Sequence, residues 1–207
     1  MSVAYFTTAW FAPIPYYIAL NRYKTRCIDG AEHFVKQSYR NRCVIATANG
    51  PMSLSLPIES GRSPRMPIQD VRVSDHGNWQ SLHWNSLLSA YRSSPFFEYY
   101  ADDIRPFFDE KKPFLFDYNE RIRRCICALI PLDASAMITD RYRSTDQLPE
   151  DSVDFRSRLN EKVLPTTQLQ LTSKPYYQVF EGKFGFTPDL SILDLLFNMG
   201  PESILYL

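Results

Sequence analysis

The sequence carries no excess of charge of either sign: 23 basic and 23 acidic residues give a formal net charge of zero. A protein held to nucleic acid by bulk phosphate attraction would be basic, so that class is set aside, while a local cationic pocket remains open. No stretch reaches the roughly 18 apolar residues of a membrane helix. The opening Met1-Ser2-Val3-Ala4-Tyr5-Phe6 lacks a basic leader, and Pro13 and Pro15 interrupt the apolar residues after it, so no signal peptide is expected. Histidine is scarce, at three, and the four cysteines form no C-x-x-C pair. Cys125 and Cys127, two apart on a helix, face away from each other. Neither a zinc site nor a redox pair is expected, and free thiols in a reducing cytoplasm fit better. G-x-G-x-x-G, Walker, G-x-S-x-G and H-E-x-x-H motifs are all missing, which removes the common nucleotide, hydrolase and zincin readings.

What is present is an aromatic-rich chain of 207 residues, with 13 Tyr and 14 Phe, long enough to bury a sizeable core. It reads as a single domain over residues 1–207, with no repeat and no low-complexity tract. Val3 to Ala9 reads as a strand, Ile14 to Tyr23 as a helix after a proline turn, and Thr25 to Ile28 as a second strand closed by Asp29-Gly30. Such a β-α-β unit runs parallel. Arg42 to Ala48 and Met52 to Ile58 flank Asn49-Gly50, a hairpin turn signal. The fold expected is therefore α/β: a mixed sheet with flanking helices, a parallel opening, an antiparallel hairpin and a helical second half.

Beyond the hairpin, Glu59 to Pro67 reads as a basic loop and Ile68 to Ser74 as a strand. Trp79, Leu82, His83, Leu87 and Tyr91 recur at steps of three and four, the inner face of a helix capped by Asn78 or Ser74. Phe96 to Phe108 reads as one helix stopped by Lys111-Lys112-Pro113, and Asn119 as the cap of another carrying Ile122 and Ile126. Ala136 to Thr139 reads as a short strand, Arg141 to Val153 as a mobile polar loop, Tyr176 to Phe180 as strand-like and Leu190 to Phe197 as a helix. Phe155 to Leu164 is left unassigned.

The stretch Val35-Lys36-Gln37-Ser38-Tyr39-Arg40-Asn41-Arg42-Cys43-Val44-Ile45 is the densest in chemistry. As extended chain it sets Lys36, Arg40 and Arg42 on one face, with Gln37, Tyr39 and Asn41 on the other. Three like charges on one face need water or an anion, and guanidinium forks suit carboxylate or phosphate. A solvated edge strand guarded by positive charge is the alternative. His83, on an apolar helix face, is either a satisfied core histidine or a proton acceptor held by packing. His33 lies beside the cationic stretch, and Cys43 is read as a buried, inert thiol. Asp194, set among leucines, needs a partner if buried, and Arg42 is one candidate.

Several segments together resemble the WbqC-like protein family. They are Tyr5-Phe6 through Pro13-Ile14-Pro15-Tyr16-Tyr17; Lys36 to Arg42 running into Asn49-Gly50-Pro51; Trp79 and His83 with Tyr91 and Pro95-Phe96-Phe97; and Tyr176 to Phe180 with Leu190 to Gly200. The resemblance implies a setting in O-antigen or other surface-polysaccharide synthesis. It implies an acyl- or aminoacyl-transferase, glycine included, acting on an amino-sugar nucleotide or glycan precursor. It highlights Asn41, Arg42 and His83. The family's aspartate pair after the second strand is here Asp29 alone, followed by Gly30, so no metal ligand is assigned and the cofactor is left open. In the mechanism this implies, His83 takes the proton of the attacking amine and Asn41 stabilises an oxyanion. Arg42, with Arg40 or Lys36, grips phosphate or carboxylate, and Tyr39 and Tyr91 stack on the substrate. The partners expected are a small-molecule or sugar-nucleotide substrate, with no nucleic acid and no membrane span, and the oligomeric state is left open. The rivals are a non-catalytic module for an anionic metabolite and a structural partner in envelope biogenesis.

Overall fold

The structure is a computed structural model that describes residues 2–59, 65–110, 114–157 and 171–207. Strand β1 (Val3–Phe6) leads through a proline turn into α1 (Ile14–Arg22). Pro15 stands in the first helical turn, where its missing N–H would have had no partner. Strand β2 (Thr25–Asp29) returns parallel to β1, from Val3 opposite Thr25 to Phe6 opposite Ile28. Both strands are buried almost throughout, which is why they read as apolar runs rather than as alternation. β5 (Met137–Thr139) adds parallel to β2, and β6 (Val153–Asp154) adds parallel to β1 on its other side, giving the order β5-β2-β1-β6.

The hairpin forms as expected from β3 (Arg42–Thr47) and β4 (Gly50–Ser55), antiparallel. The α/β class, the parallel opening and the antiparallel hairpin all stand, and the two parts hydrogen-bond as separate sheets. The tip is shifted by one residue: Thr47 pairs with Gly50, whose φ of +101° needs glycine, and Ala48-Asn49 turn the chain. The hairpin is tied to the core by Ser191 N–H, which donates to the Val44 carbonyl at 2.7 Å.

The cationic stretch is not an extended strand before Arg42. Gln37 has φ +57°, the Ser38 hydroxyl donates to the Val35 carbonyl at 2.7 Å, and Asn41 N–H reaches the Ser38 carbonyl. Local side-chain bonds of this kind compete with strand formation, so the alternation of faces expected for Lys36, Arg40 and Arg42 does not occur. Ile68–Asp70 is a short 3-10 turn rather than a strand, followed by isolated bridges at Arg72 and Val73.

Helix α2 (Trp79–Tyr91) buries Trp79, Trp84, Leu87, Ala90 and Tyr91. Leu82 is 62% exposed, so the inward face is rotated toward Trp84. The helix expected over Phe96 to Phe108 is divided into α3 (Phe97–Ile104) and α4 (Pro106–Asp109), because Pro106 has no N–H to continue the ladder. Helix α5 (Leu115–Leu129) begins four residues before Asn119. Asn119 is therefore not a cap. It is fully buried and its amide donates to the Arg40 carbonyl at 2.9 Å.

Within Arg141 to Val153, a Ser144–Gln147 capping box closes a 3-10 turn, and the segment ends in β6. Tyr176 to Gln178 joins no strand among the described residues, and Val179-Phe180 turn the chain into α6 (Glu181–Phe184). Helix α7 (Ile192–Met199) is capped by Ser191, whose hydroxyl accepts from Leu193 N–H. The stop at Lys111-Lys112-Pro113, most of the basic loop after Glu59 and the later part of Phe155 to Leu164 lie outside the described residues. One apolar cluster runs from Phe6 and Ile28 through Trp10, Tyr91 and Ile126 to Phe197.

Candidate functional site

In an open α/β sheet, ligands bind in the crevice outside the carboxyl ends of the strands, where the strand order reverses. Here the chain steps from β1 to β2 and β5 on one side, then returns to place β6 on the other. A cleft of about 340 Å³ lies at this point, lined by Glu32, His33, Val35, Arg40, Tyr142, Thr145, Asp154, Arg156 and Ser157.

Its floor is a pair of buried ion clusters. Arg40 Nε donates to Glu32 Oε1 at 3.0 Å, Arg40 Nη2 donates to Oε2, and the Thr7 hydroxyl, just beyond β1, donates to Oε1. Arg40 Nη1 also reaches Ser38 Oγ at 3.3 Å. Burial raises the Glu32 pKa above the usual carboxylate range, against the pull of Arg40 and Thr7. Across the cleft, Arg156 holds Asp154 with two prongs, at 2.9 and 2.7 Å, and reaches Asp29 Oδ2 at 2.6 Å. Asp29 closes β2, so this contact staples the segment after β6 to the end of β2. Asp29 Oδ1 accepts from Ala31 N–H and from the Thr139 hydroxyl, both at 3.0 Å. Burial acts to raise the Asp154 pKa, but bonds from Arg156 and Thr145 outweigh it and hold the group low. The Arg156 guanidinium also lies over the rings of Tyr5 and Tyr142.

Of the residues expected at a site, Arg40 lines this cleft, but it is committed to Glu32 rather than open to an anion. Lys36 is exposed on the same loop. Tyr39 is half-buried and its carbonyl accepts from Trp10 N–H at 2.8 Å. Asn41 donates to the Leu56 carbonyl at 2.9 Å, while its Oδ1 is buried without a partner among the described residues. Arg42 is half-buried at the start of β3, opposite Ser55. His83 packs between Trp10 and Trp79, each ring 5.6 Å away, and burial pushes its pKa down to about 4. Its Nδ1 is buried and has no partner among the described residues. His83 reaches the cationic loop through Trp10, which carries both the ring contact and the bond to Tyr39.

Tyr91 offers no face to a substrate. It has no exposed surface, its ring packs on Phe197, and its hydroxyl accepts from Ala46 N–H at 3.1 Å. The partner Asp194 needs is the Tyr176 hydroxyl, 2.5 Å from Oδ2, with Gln178 Nε2 at 3.1 Å. Cys43 is buried, as expected for an inert thiol, and all four cysteines are free.

Sequence reading missed Glu32, Asp154 and Arg156. Asp154-x-Arg156 carries a usable signal, an acid and an arginine at alternate positions leaving a short strand, but it falls between the segment read as loop, which ends at Val153, and the unassigned stretch from Phe155. Among the described residues, no group of three or more His, Cys, Asp or Glu side chains converges as a metal cage.

A protein of Mycobacterium tuberculosis (strain ATCC 25618 / H37Rv), Uncharacterized protein Rv1507c, is 26% identical over 193 residues, spanning 84% of this chain and 83% of its own length. No solved structure matches the chain. The profile of the WbqC-like protein family matches residues 10–168, a span that holds Glu32, the cationic loop, His83 and the Asp154–Arg156 corner. With more than half its length inside that match, the chain belongs to the WbqC-like protein family.

Proposed function

We propose that the protein transfers an acyl or aminoacyl group, glycine among them, to the amine of an amino-sugar nucleotide or surface-polysaccharide precursor, and that the carboxyl-end cleft receives the acceptor. The observation that carries this reading is Glu32: a buried carboxylate at the wall of an open cleft, with its affinity for a proton raised by burial. An attacking amine must shed a proton. The nitrogen then forms a bond to the acyl carbon, the bond from that carbon to its leaving group breaks, and the leaving group departs with the electron pair. The donor class is an activated acyl ester or thioester. A proton acceptor works best with a pKa near the working pH. Glu32 is shifted in that direction, whereas burial moves His83 away from it, to about 4. In this reading Glu32 takes the acid–base part first assigned to His83, and Asn41, with its unpartnered Oδ1, remains a positioning group.

Free thiols and the absence, among the described residues, of any helix long and apolar enough to cross a membrane support a place in the cytoplasm. The rival reading, a non-catalytic module for an anionic metabolite, is favoured by Lys36, which stays exposed on the loop that carries Arg40. The two separate by turnover. Incubation with amino-sugar nucleotides and a panel of activated acyl and aminoacyl donors, followed by mass spectrometry, should yield an N-acylated sugar. Tight binding with no product from any donor would favour the module.

A further inference from the structure

The chemistry of the cleft is more specific than its shape. Glu32 is matched by Arg40, while Asp29 and Asp154 share Arg156, so among the described residues one negative charge is left over on the Arg156 side of the cleft, near enough for Asp29 to raise the proton affinity of Glu32. Each carboxylate oxygen can accept two hydrogen bonds. Asp154 is full: Oδ1 accepts from Arg156 N–H and Nε, and Oδ2 from Thr145 and Arg156 Nη2. Glu32 Oε1 is full as well, with Thr7 and Arg40 Nε. Glu32 Oε2 accepts only from Arg40 Nη2 among the described residues, so one of its two positions is open. Asp29 Oδ2 has an open position too, but Asp29 is 1% exposed and does not line the cleft.

An incoming anion would meet guanidiniums that are already paired and a cluster that is already negative. Breaking either pair would strand a buried charge without its counter-ion. A cation meets the opposite conditions: an unfilled acceptor position on Glu32, a surplus of negative charge across the cleft among the described residues, and Thr145 and Ser157 in the same lining.

We infer that the cleft is a counter-ion site for a protonated primary amine, anchored on Glu32 Oε2, and that it takes the amine end of the acceptor sugar and excludes the phosphate end. The choice of an amino sugar rests on the transfer reading above; the selection for a cation rests on the charge count and the open oxygen alone. Arg40 is then a positioning residue that fixes Glu32, not a phosphate clamp.

The test is binding followed by NMR on the whole chain, with glucosamine, N-acetylglucosamine and inorganic phosphate as probes. Glucosamine should shift the side-chain carboxyl carbon of Glu32 and the signals of Thr145 and Ser157. N-acetylglucosamine and phosphate should leave them in place. Glu32→Gln should weaken glucosamine binding at least tenfold. Ser157→Phe, on an exposed position at the mouth, should block it with Glu32 intact, which keeps the test decisive if loss of the ion pair unfolds the first variant. Equal binding of N-acetylglucosamine, shifts at the cleft with phosphate, or no glucosamine shift at Glu32 would overturn the inference. Amine binding here without transfer from any donor would keep the site and retire the transferase reading. Transfer without amine binding here would do the reverse.

Discussion

Replacing Asp194 by Asn should change how stability depends on pH, by an amount the structure sets. Asp194 has no exposed surface in the first turn of α7. Burial raises its pKa from 3.8 to about 6, although hydrogen bonds from Tyr176, Tyr91 and Gln178 pull the other way. That rise corresponds to about 3 kcal/mol. Between pH 4 and 6 the folded chain keeps a proton that the unfolded chain has released. The stability this contributes is therefore full below about pH 4 and lost as pH rises through about 6. His83 acts in the opposite sense: its folded pKa of about 4 lies below the ordinary 6.5, so its contribution is gained as pH rises across that interval. The two oppose each other, and the wild-type profile alone would conceal both.

The comparison must therefore be made pH by pH against the variant. Asn keeps an oxygen for the Tyr176 hydroxyl and carries no charge. Urea unfolding, followed by tryptophan fluorescence, should find Asp194→Asn gaining about 3 kcal/mol relative to wild type between pH 4 and pH 7. A stability difference that does not vary with pH would show that Asp194 does not titrate inside the fold, and the reasoning would fail.

His83→Gln should cost about 1 kcal/mol, from lost ring contacts with Trp10 and Trp79 rather than from a lost hydrogen bond; thermal melting reads this directly. The same variant should keep most of its turnover, and a fall of about 10²-fold or more would restore His83 as the proton acceptor. In the wild type, NMR of the imidazole ring should titrate near pH 4, and a midpoint above 6 would contradict its burial. Gly200→Ala should lose about 1–3 kcal/mol, because φ is +56° and the added Cβ would lie 2.5 Å from the Phe96 ring; an unchanged melting temperature would refute this. Thiol alkylation of the native chain should reach half-buried Cys125 first, with Cys127, pushed up to about 11 by burial, far behind. Unfolding without reductant should expose four free thiols, and any fewer would mean a disulfide.

The opening β-α-β unit was legible because its signals are local: β-branched and aromatic strands, two prolines before a helix, and Asp29-Gly30 at the turn. The hairpin and α7 were legible for the same reason. The cationic loop was misread because an alternating pattern assumes extended backbone, and Gln37 and Ser38 break it with a positive φ and a side-chain bond to Val35. The break at Pro106 is visible in the sequence, since proline has no N–H to continue a helix. Tyr91 could not be told from a cleft residue by spacing alone, since both its ring and its hydroxyl have uses in a core. The cleft was beyond local reading altogether. Arg156 meets Asp29 across 127 residues because a two-residue strand, β6, pairs with β1. Glu32 looks like an ordinary surface acid until Arg40 and Thr7 enclose it.

The central claim is that the cleft beside Glu32 and Arg156 receives the amine of an amino sugar. The most direct measurement is a crystal structure of the protein with an amino-sugar nucleotide bound. The account predicts the sugar nitrogen about 3 Å from Glu32 Oε2, with both ion clusters intact and the phosphates pointing out of the cleft. A sugar nitrogen held instead against His83 and Asn41, or phosphates seated on Arg40 in place of Glu32, would contradict it.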